Sequence, residues 1–364
     1  MRRVGIGLLG AGNISDAYLR ASRHFPFLDI RGIASAGGAS ARERAHGFGL
    51  QAVTPEELLS DPGIEIIVNL TPPAEHARVG LAVLRAGKHL YSEKPLAASF
   101  EAAALILEEA TARKLRVGCA PDTFLGGAHQ VCRRLVDEGA LGRPIGGTAF
   151  FLCPGHERWH PNPGFYYAPG GGPILDMGPY HVTILVHLLG PVARVTGLAT
   201  RGFDNRRIPS GPGRGTSIPV QVQTHVSSSL QFASGAVVSM SLSFDVQAHQ
   251  HPPIEIYGTE ASLLVPDPHR FGGSVQIGRN RTQWHDVPID RPFHEDDYRM
   301  IGVADLALAI RRGQPHRADG ALALHTLEVL EGIMSSAQSG SHVDIKTRPR
   351  RPPVLPDEYF SVGL

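Results

Sequence analysis

Val4-Gly5-Ile6-Gly7-Leu8-Leu9-Gly10-Ala11-Gly12-Asn13-Ile14-Ser15 is a short apolar run followed at once by a glycine-spaced turn. The apolar run predicts a buried strand, and residues 13–24 predict a helix, so the glycines fall at a strand-to-helix turn. Gly10 permits the tight turn. Gly12 lets the backbone approach a pyrophosphate, and Ser15 takes the third small position. The helix N-terminus then stabilises negative charge. Gly10, Gly12, Asn13 and Ile14 are therefore expected to hold the phosphates of a dinucleotide.

Outward from this turn, strands and helices alternate. Strands are expected at 28–34, 64–70, 89–91 and 115–120, and helices at 39–48, 74–86 and 100–113. Near-continuous apolar strands between helices indicate a doubly wound parallel sheet. After about Pro121 the pattern changes. Helices are expected at 127–138 and 174–189, and alternating runs at 222–232, 236–244, 254–257 and 262–265 read as antiparallel strands. Ala233-Ser234-Gly235 joins two of them into a hairpin, and helices follow at 297–312 and 319–339. The expected fold is α/β. A Rossmann domain at 1–122 precedes an α+β substrate and oligomerisation domain at 123–345, with a large, mostly antiparallel open sheet. A Pro/Arg-rich tail at 346–364 ends the chain. One-sided helical cover leaves a sheet face free, which predicts a homodimer or homotetramer. The Arg-, Gly- and Pro-rich stretch 201–219 reads as a mobile loop, and Arg348, Arg350 and Arg351 as part of a solvated tail.

Composition narrows the function. The 364 residues, 42% hydrophobic, suit two cores better than one, since single cores stop growing near ~250–300 residues. With 35 basic and 34 acidic residues there is no basic patch for a nucleic-acid partner. Three cysteines without paired spacing argue against a disulfide framework or a structural zinc, and the scattered histidines suggest no metal site. No apolar run approaches the ~20 residues that span a bilayer, so no membrane partner is expected. The first strand begins almost at Met1, which argues against a signal peptide and for a cytoplasmic enzyme.

Two further centres carry chemistry. The second strand ends at Ser35, where NAD sites usually place a carboxylate for the ribose 2′-hydroxyl. Arg42 and Arg44 follow, and Ser with Arg suits a 2′-phosphate, so the reading favours NADP over NAD. Thr71-Pro72-Pro73 with His76, and Glu93-Lys94-Pro95, sit at strand ends, where open α/β sheets bind ligands. Thr71, Pro72, His76, Glu93 and Lys94 are thus expected at the cofactor, and Lys94 can polarise a substrate hydroxyl and pass a proton. Further on, Gly170-Gly171-Gly172 leads into the helix expected at 174–189. Four residues apart on one helix, Asp176 and Tyr180 share a face, with His181 rotated away. Asp176 beside Lys94 would bind the hydroxyl, and Tyr180 or His181 would move the proton. Asp122, Trp159, His160 and His249 are the polar candidates for the substrate pocket, Trp159 offering a stacking face for a sugar ring.

GxGxxS, TPPxxH, EKP and GGGxxxDxG, in this order and spacing, resemble the glucose–fructose oxidoreductase / inositol dehydrogenase family, from Val4 to about Gly340. The resemblance implies hydride transfer between NAD(P) and a sugar or polyol hydroxyl, in dimers or tetramers formed through the open sheet. It gives Lys94 and Asp176 roles at the reacting oxygen. The family's histidine four residues after the aspartate is Tyr180 here, with His181 one place further, which leaves the acid/base open between them. A branch with Asp-Met-Gly-Pro-Tyr looks similar, as do the stretches 119–124 and 159–163. Some relatives instead cleave glycosidic bonds by transient oxidation with bound NAD, and that alternative stands beside simple hydride transfer.

Overall fold

The computed structural model describes residues 3–160, 162–210, 213–356 and 358–360. In chain order the elements begin β1 (Val4–Leu9), α1 (Asn13–Ala21), β2 (Leu28–Ala34), α2 (Ala39–Phe48), α3 (Pro55–Ser60), β3 (Ile66–Asn69), α4 (His76–Arg85), β4 (His89–Ser92), α5 (Phe100–Ala112) and β5 (Val117–Cys119). There follow α6 (Gly127–Asp137), β6 (Pro144–Leu152), α7 (Gly172–Asp176), α8 (Gly178–Leu189), β7 (Val192–Thr200), β8 (Asn205–Arg207), β9 (Ser217–Pro219), β10 (His225–Phe232) and β11 (Val237–Ser243). The rest are β12 (Ile254–Gly258), β13 (Ser262–Val265), β14 (Gln276–Arg279), β15 (Gln283–Asp286), α9 (Ile301–Arg312), α10 (Gly320–Ser339) and β16 (Val343–Asp344). The chain divides into two compact units. One comprises 1–130, 291–324 and the stretch from Pro352, and the other 131–290 with 325–351.

In the first unit β1 to β5 form a parallel sheet in the order β2-β1-β3-β4-β5. A parallel bridge from Ile33 to Ala52 adds one residue of strand outside β2, which restores the dinucleotide-fold order. The strands are apolar on both faces, as the fully buried Ile6, Leu8, Ile33, Ile66, Val68 and Leu90 show. A capping box at Thr54 and Glu57 starts α3, a helix the periodicity did not reveal.

The second unit is a nine-stranded sheet, β15-β14-β13-β12-β6-β11-β10-β7-β16, antiparallel except for the β6–β11 pair. Its covered face carries Val226, Leu230, Val238, Met240 and Ile254, all buried. The other face aligns Thr196, Ser229, Ser239, Thr148 and Glu255 in one row of paired residues, and Leu198, Ser227 and Ser241 in the next. Leu198 there is 73% exposed, so the open sheet expected from the sequence is present.

Three expectations are corrected. The helix expected at 174–189 is two helices. Met177 caps both, and the Tyr180 and His181 amides turn back to its carbonyl. Pro179, which has no N–H, sits in the first turn of α8 and restarts the helix there. Asp176 and Tyr180 therefore do not share a helix face. The stretch 201–219, read as a mobile loop, contains the β8–β9 pair and the buried Arg206; residues 211–212 lie outside the described ones. The C-terminal residues, read as a solvated tail, are packed in good part, while Arg350 is exposed as expected. Arg351 donates to the carbonyls of His187 and Leu188 that end α8, and Leu355, Tyr359 and Phe360 are buried, 357 and 361–364 lying outside the described residues. No helix among the described residues is long and apolar enough to cross a membrane.

Candidate active site

Leu9, Asn69, Ser92 and Cys119 end their strands in register, so the segments that follow all emerge along one edge of the first unit's sheet. Gly10 has φ +109°, and a Cβ there would lie 2.4 Å from the Leu70 carbonyl group. Only glycine passes this point. Gly12 caps α1 without a side-chain hydrogen bond and has open space where a Cβ would stand. The exposed Asn13 and half-buried Ile14 open the helix, and Ser15 turns inward to bond the Gly12 carbonyl at 2.6 Å. A bare helix start behind a glycine cradle fits a pyrophosphate.

Beside it opens a cleft of about 760 Å³, lined by Gly10, Ser35, Gly38, Arg42, Thr71 and Arg78 among others. Ser35 Oγ accepts the Ala41 amide at 3.2 Å at the start of α2. Arg42 folds back over Gly38, whose absent Cβ would meet its guanidinium at 2.9 Å. Arg44, named with Arg42 from the sequence, is instead held by Asp16 at 2.9 Å. Arg78, in the first turn of α4 and paired with Glu75 at 2.6 Å, went unnoticed because its distance along the chain hid that it lines the same cleft.

The loops after β3 and β4 are bound to each other. Asn69 Oδ1 accepts from Thr71 Oγ1 at 2.7 Å, and exposed Pro72 follows. His76 lies between the loops, with Nε2 2.8 Å from the Thr71 carbonyl and Nδ1 2.6 Å from that of Pro95. Glu93 accepts from Tyr18 of α1 at 2.9 Å and from the Lys94 amide at 3.0 Å, and Lys94 itself is half-buried. His76 and Glu93 thus shape the backbone that presents Thr71 and Lys94.

Asp122, a substrate candidate from the sequence, is buried. It accepts the Gly302 amide at the start of α9 at 2.9 Å and lies beside the Tyr91 hydroxyl. Burial pushes its pKa up to about 7, against the Gly302 hydrogen bond and the Arg299 charge. This carboxyl anchors 291–324 within its unit.

In the second unit Asp176, the last residue of α7, has a partner the sequence did not suggest. Its Oδ2 is 3.1 Å from His156 Nε2. The Trp159 indole donates to His156 Nδ1 at 3.2 Å, and an indole N–H can only donate. Nδ1 is therefore the acceptor, and Nε2 carries the proton given to Asp176. The His156 loop rests on a buried network. The His156 amide donates to Tyr167 Oη at 3.2 Å, Tyr167 donates to Glu157, and Arg206 pairs with both Glu157 and Asp245. No spacing rule links His156 to Asp176, so only the fold could pair them.

His181, one of two expected proton carriers, is buried with Nδ1 3.0 Å from the Met177 carbonyl and Nε2 3.3 Å from that of Phe150. Burial depresses its pKa. It is a core histidine whose partners are backbone. Tyr180 is 4% exposed, with its ring edge-on to His269 at 4.7 Å. His160 packs against Trp159, each ring centre 5.3 Å from the other. His249 is not brought to them. It is exposed, parallel to His251, which stacks on Phe150. Phe151, the next residue of the strand, packs toward His156, so His249 lies on the opposite sheet face.

The Rossmann cradle and the lysine loop at the next strand ends of the first unit are those of a dinucleotide-dependent oxidoreductase. Residues 4–120 match the oxidoreductase family with an NAD-binding Rossmann fold, and residues 129–264 match the GFO/IDH/MocA C-terminal domain. The chain belongs to the GFO/IDH/MocA family of NAD(P)-binding oxidoreductases. It is 25% identical over 291 residues to levoglucosan dehydrogenase of Pseudarthrobacter phenanthrenivorans, covering 72% of this chain and 74% of the other. It is 27% identical over 353 residues to 1,5-anhydro-D-fructose reductase of Ensifer adhaerens, covering 94% and 98%. A solved levoglucosan dehydrogenase in complex with NADH and L-sorbose shares the fold, with TM-score 0.81 and 24% identity over 95% of this chain and 99% of that one.

Proposed function

We propose that this oxidoreductase transfers hydride between a nicotinamide dinucleotide and a hydroxyl-bearing carbon of a sugar, cyclitol or sugar derivative. A bound nicotinamide supplies the hydride acceptor or donor. The chain's residues bind, orient and handle the proton. Gly10, Gly12, Asn13 and Ile14 take the pyrophosphate, and Thr71, Pro72 and the Glu93–Lys94 loop take the rest of the cofactor. Lys94 Nζ holds or releases the proton of the reacting oxygen. Asp176 accepts a sugar hydroxyl, and His156 fixes the direction of its carboxylate. The observation that carries the sugar reading is the Trp159–His156–Asp176 chain, which sets an exposed aromatic face next to an oriented carboxylate. The relatives that act on levoglucosan and 1,5-anhydro-D-fructose support the same substrate class.

Arg42, which lines the cleft with Ser35, favours a 2′-phosphate, and NADP is the preferred cofactor on this reading. On the Asp176-to-Tyr180 stretch we also assign the chain to the Asp-Met-Gly-Pro-Tyr branch of the family, with tyrosine in place of the histidine. The open sheet face, with Leu198 and Val237 exposed, is the proposed homo-oligomer interface, in a cytoplasmic enzyme. Parallel titration with NAD, NADH, NADP and NADPH, followed by a screen of sugars and cyclitols with the tighter pair, tests the proposal. Tight NADP binding and sugar-dependent change in reduced nicotinamide are expected. Oxidation of simple alcohols but of no sugar contradicts it.

A further inference from the structure

Trp159 and Phe165 are 64% and 52% exposed, unusual for aromatic residues, and they belong to one loop. Neither ring is loose. Trp159 is held by its indole bond to His156. Phe165 rests on Tyr166, ring centres 4.0 Å apart, and Tyr166 belongs to the core of Tyr167, Ile208, Ile218, Val220 and Phe244. His160 stands edge-on between them, its centre 5.3 Å from each. Two fixed aromatic faces thus flank a polar ring and continue outward from the His156–Asp176 pair. Rings left exposed on this chain yet held in place make a platform for a ligand rather than a stray apolar surface.

We infer that this shelf is a second sugar subsite, and that the substrate carries a ring beyond the one being oxidised, as a disaccharide or an aryl glycoside does. The inference rests on the sugar reading above and deepens it. The chemistry fits: the C–H faces of a pyranose lie flat on aromatic rings, while its hydroxyls reach polar edges such as His160. Continuity with Asp176 through Trp159 and His156 argues for the same ligand spanning both places. An aliphatic protein surface would not need the polar ring in the middle.

Saturation-transfer NMR and titration on the full chain test it. The probes are monosaccharides and cyclitols compared with cellobiose, maltose, lactose and p-nitrophenyl β-D-glucoside. Protein contact on both rings of the best two-ring probe is expected, with affinity about tenfold above its single-ring counterpart, the size of one aromatic stacking contact. Phe165→Ala, at an exposed position, is expected to remove that tenfold and leave single-ring affinity unchanged. Contact with one ring only, or equal affinities that Phe165→Ala leaves equal, would overturn the shelf while leaving the sugar reading intact. Binding of no sugar of either size overturns the sugar reading and the shelf with it.

Discussion

His156 Nε2 lies 3.1 Å from Asp176 Oδ2, and the Trp159 indole on the far side of the ring fixes which nitrogen carries the proton. Asp176 is thus aimed by a residue from a different segment. Asp176→Asn keeps the shape but weakens acceptance of a substrate hydroxyl, and is expected to lower kcat/KM by about 10²-fold or more. His156→Ala is expected to lower it less, since the carboxylate remains but turns. His181→Ala is expected to cost thermal stability with little change in kcat, because its nitrogens face backbone carbonyls. Steady-state kinetics and melting of the three variants check this order.

Arg42 and Arg44 are separated by their partners. Arg42 lines the cleft with Ser35, while Arg44 is paired to Asp16. Arg42→Ala is expected to weaken NADP binding by about tenfold or more, the scale of a charge-assisted contact, and to leave NAD binding nearly unchanged. Arg44→Ala is expected to change the NADP-to-NAD ratio little. Fluorescence titration of both variants with both nucleotides reads the difference.

Arg206 sits between the buried Glu157 and the half-buried Asp245 carboxylates, and also donates to the Pro154 carbonyl at 2.9 Å. Arg206→Met strands both charges. Breaking such a buried pair costs roughly 3–5 kcal/mol, so a large fall in urea midpoint is expected. Arg206→Lys keeps the charge without the planar fork and is expected to fall between.

Asp122 gives a pH signature. Its folded pKa, about 7, is above the ordinary aspartate value of 3.8, so the native state binds more protons than the unfolded state between these values. Its contribution to stability is full below the lower value and is lost as pH rises through about 7. A fall in melting temperature from pH 5 to pH 8 is expected, set by roughly that window, and Asp122→Asn is expected to flatten it.

The Rossmann half was legible because parallel strands are apolar on both faces and the glycine turn is local. The open sheet of the second unit was legible from alternation. The pairing of Asp176 was not, for two reasons of different kind. Helical periodicity runs through Met177, and nothing short of the Pro179 restart tells that it breaks there. His156 lies in a loop with no periodicity, and that loop is held by Arg206 of β8, which pairs with the adjacent Glu157 and with Asp245 just beyond β11. His249 misled because residue type was visible and sheet face was not. Arg351 misled because a proline-interrupted basic run looks solvated whether or not α8 ends beside it.

The most direct test of the account follows reduced nicotinamide by absorbance while sugars and cyclitols are added to the protein with NADP or NAD, in wild type, Lys94→Ala and Asp176→Asn. The account predicts turnover of at least one such substrate in wild type. It also predicts a loss of about 10²-fold or more in each variant with nucleotide affinity nearly unchanged. Near-normal turnover in both variants would contradict it.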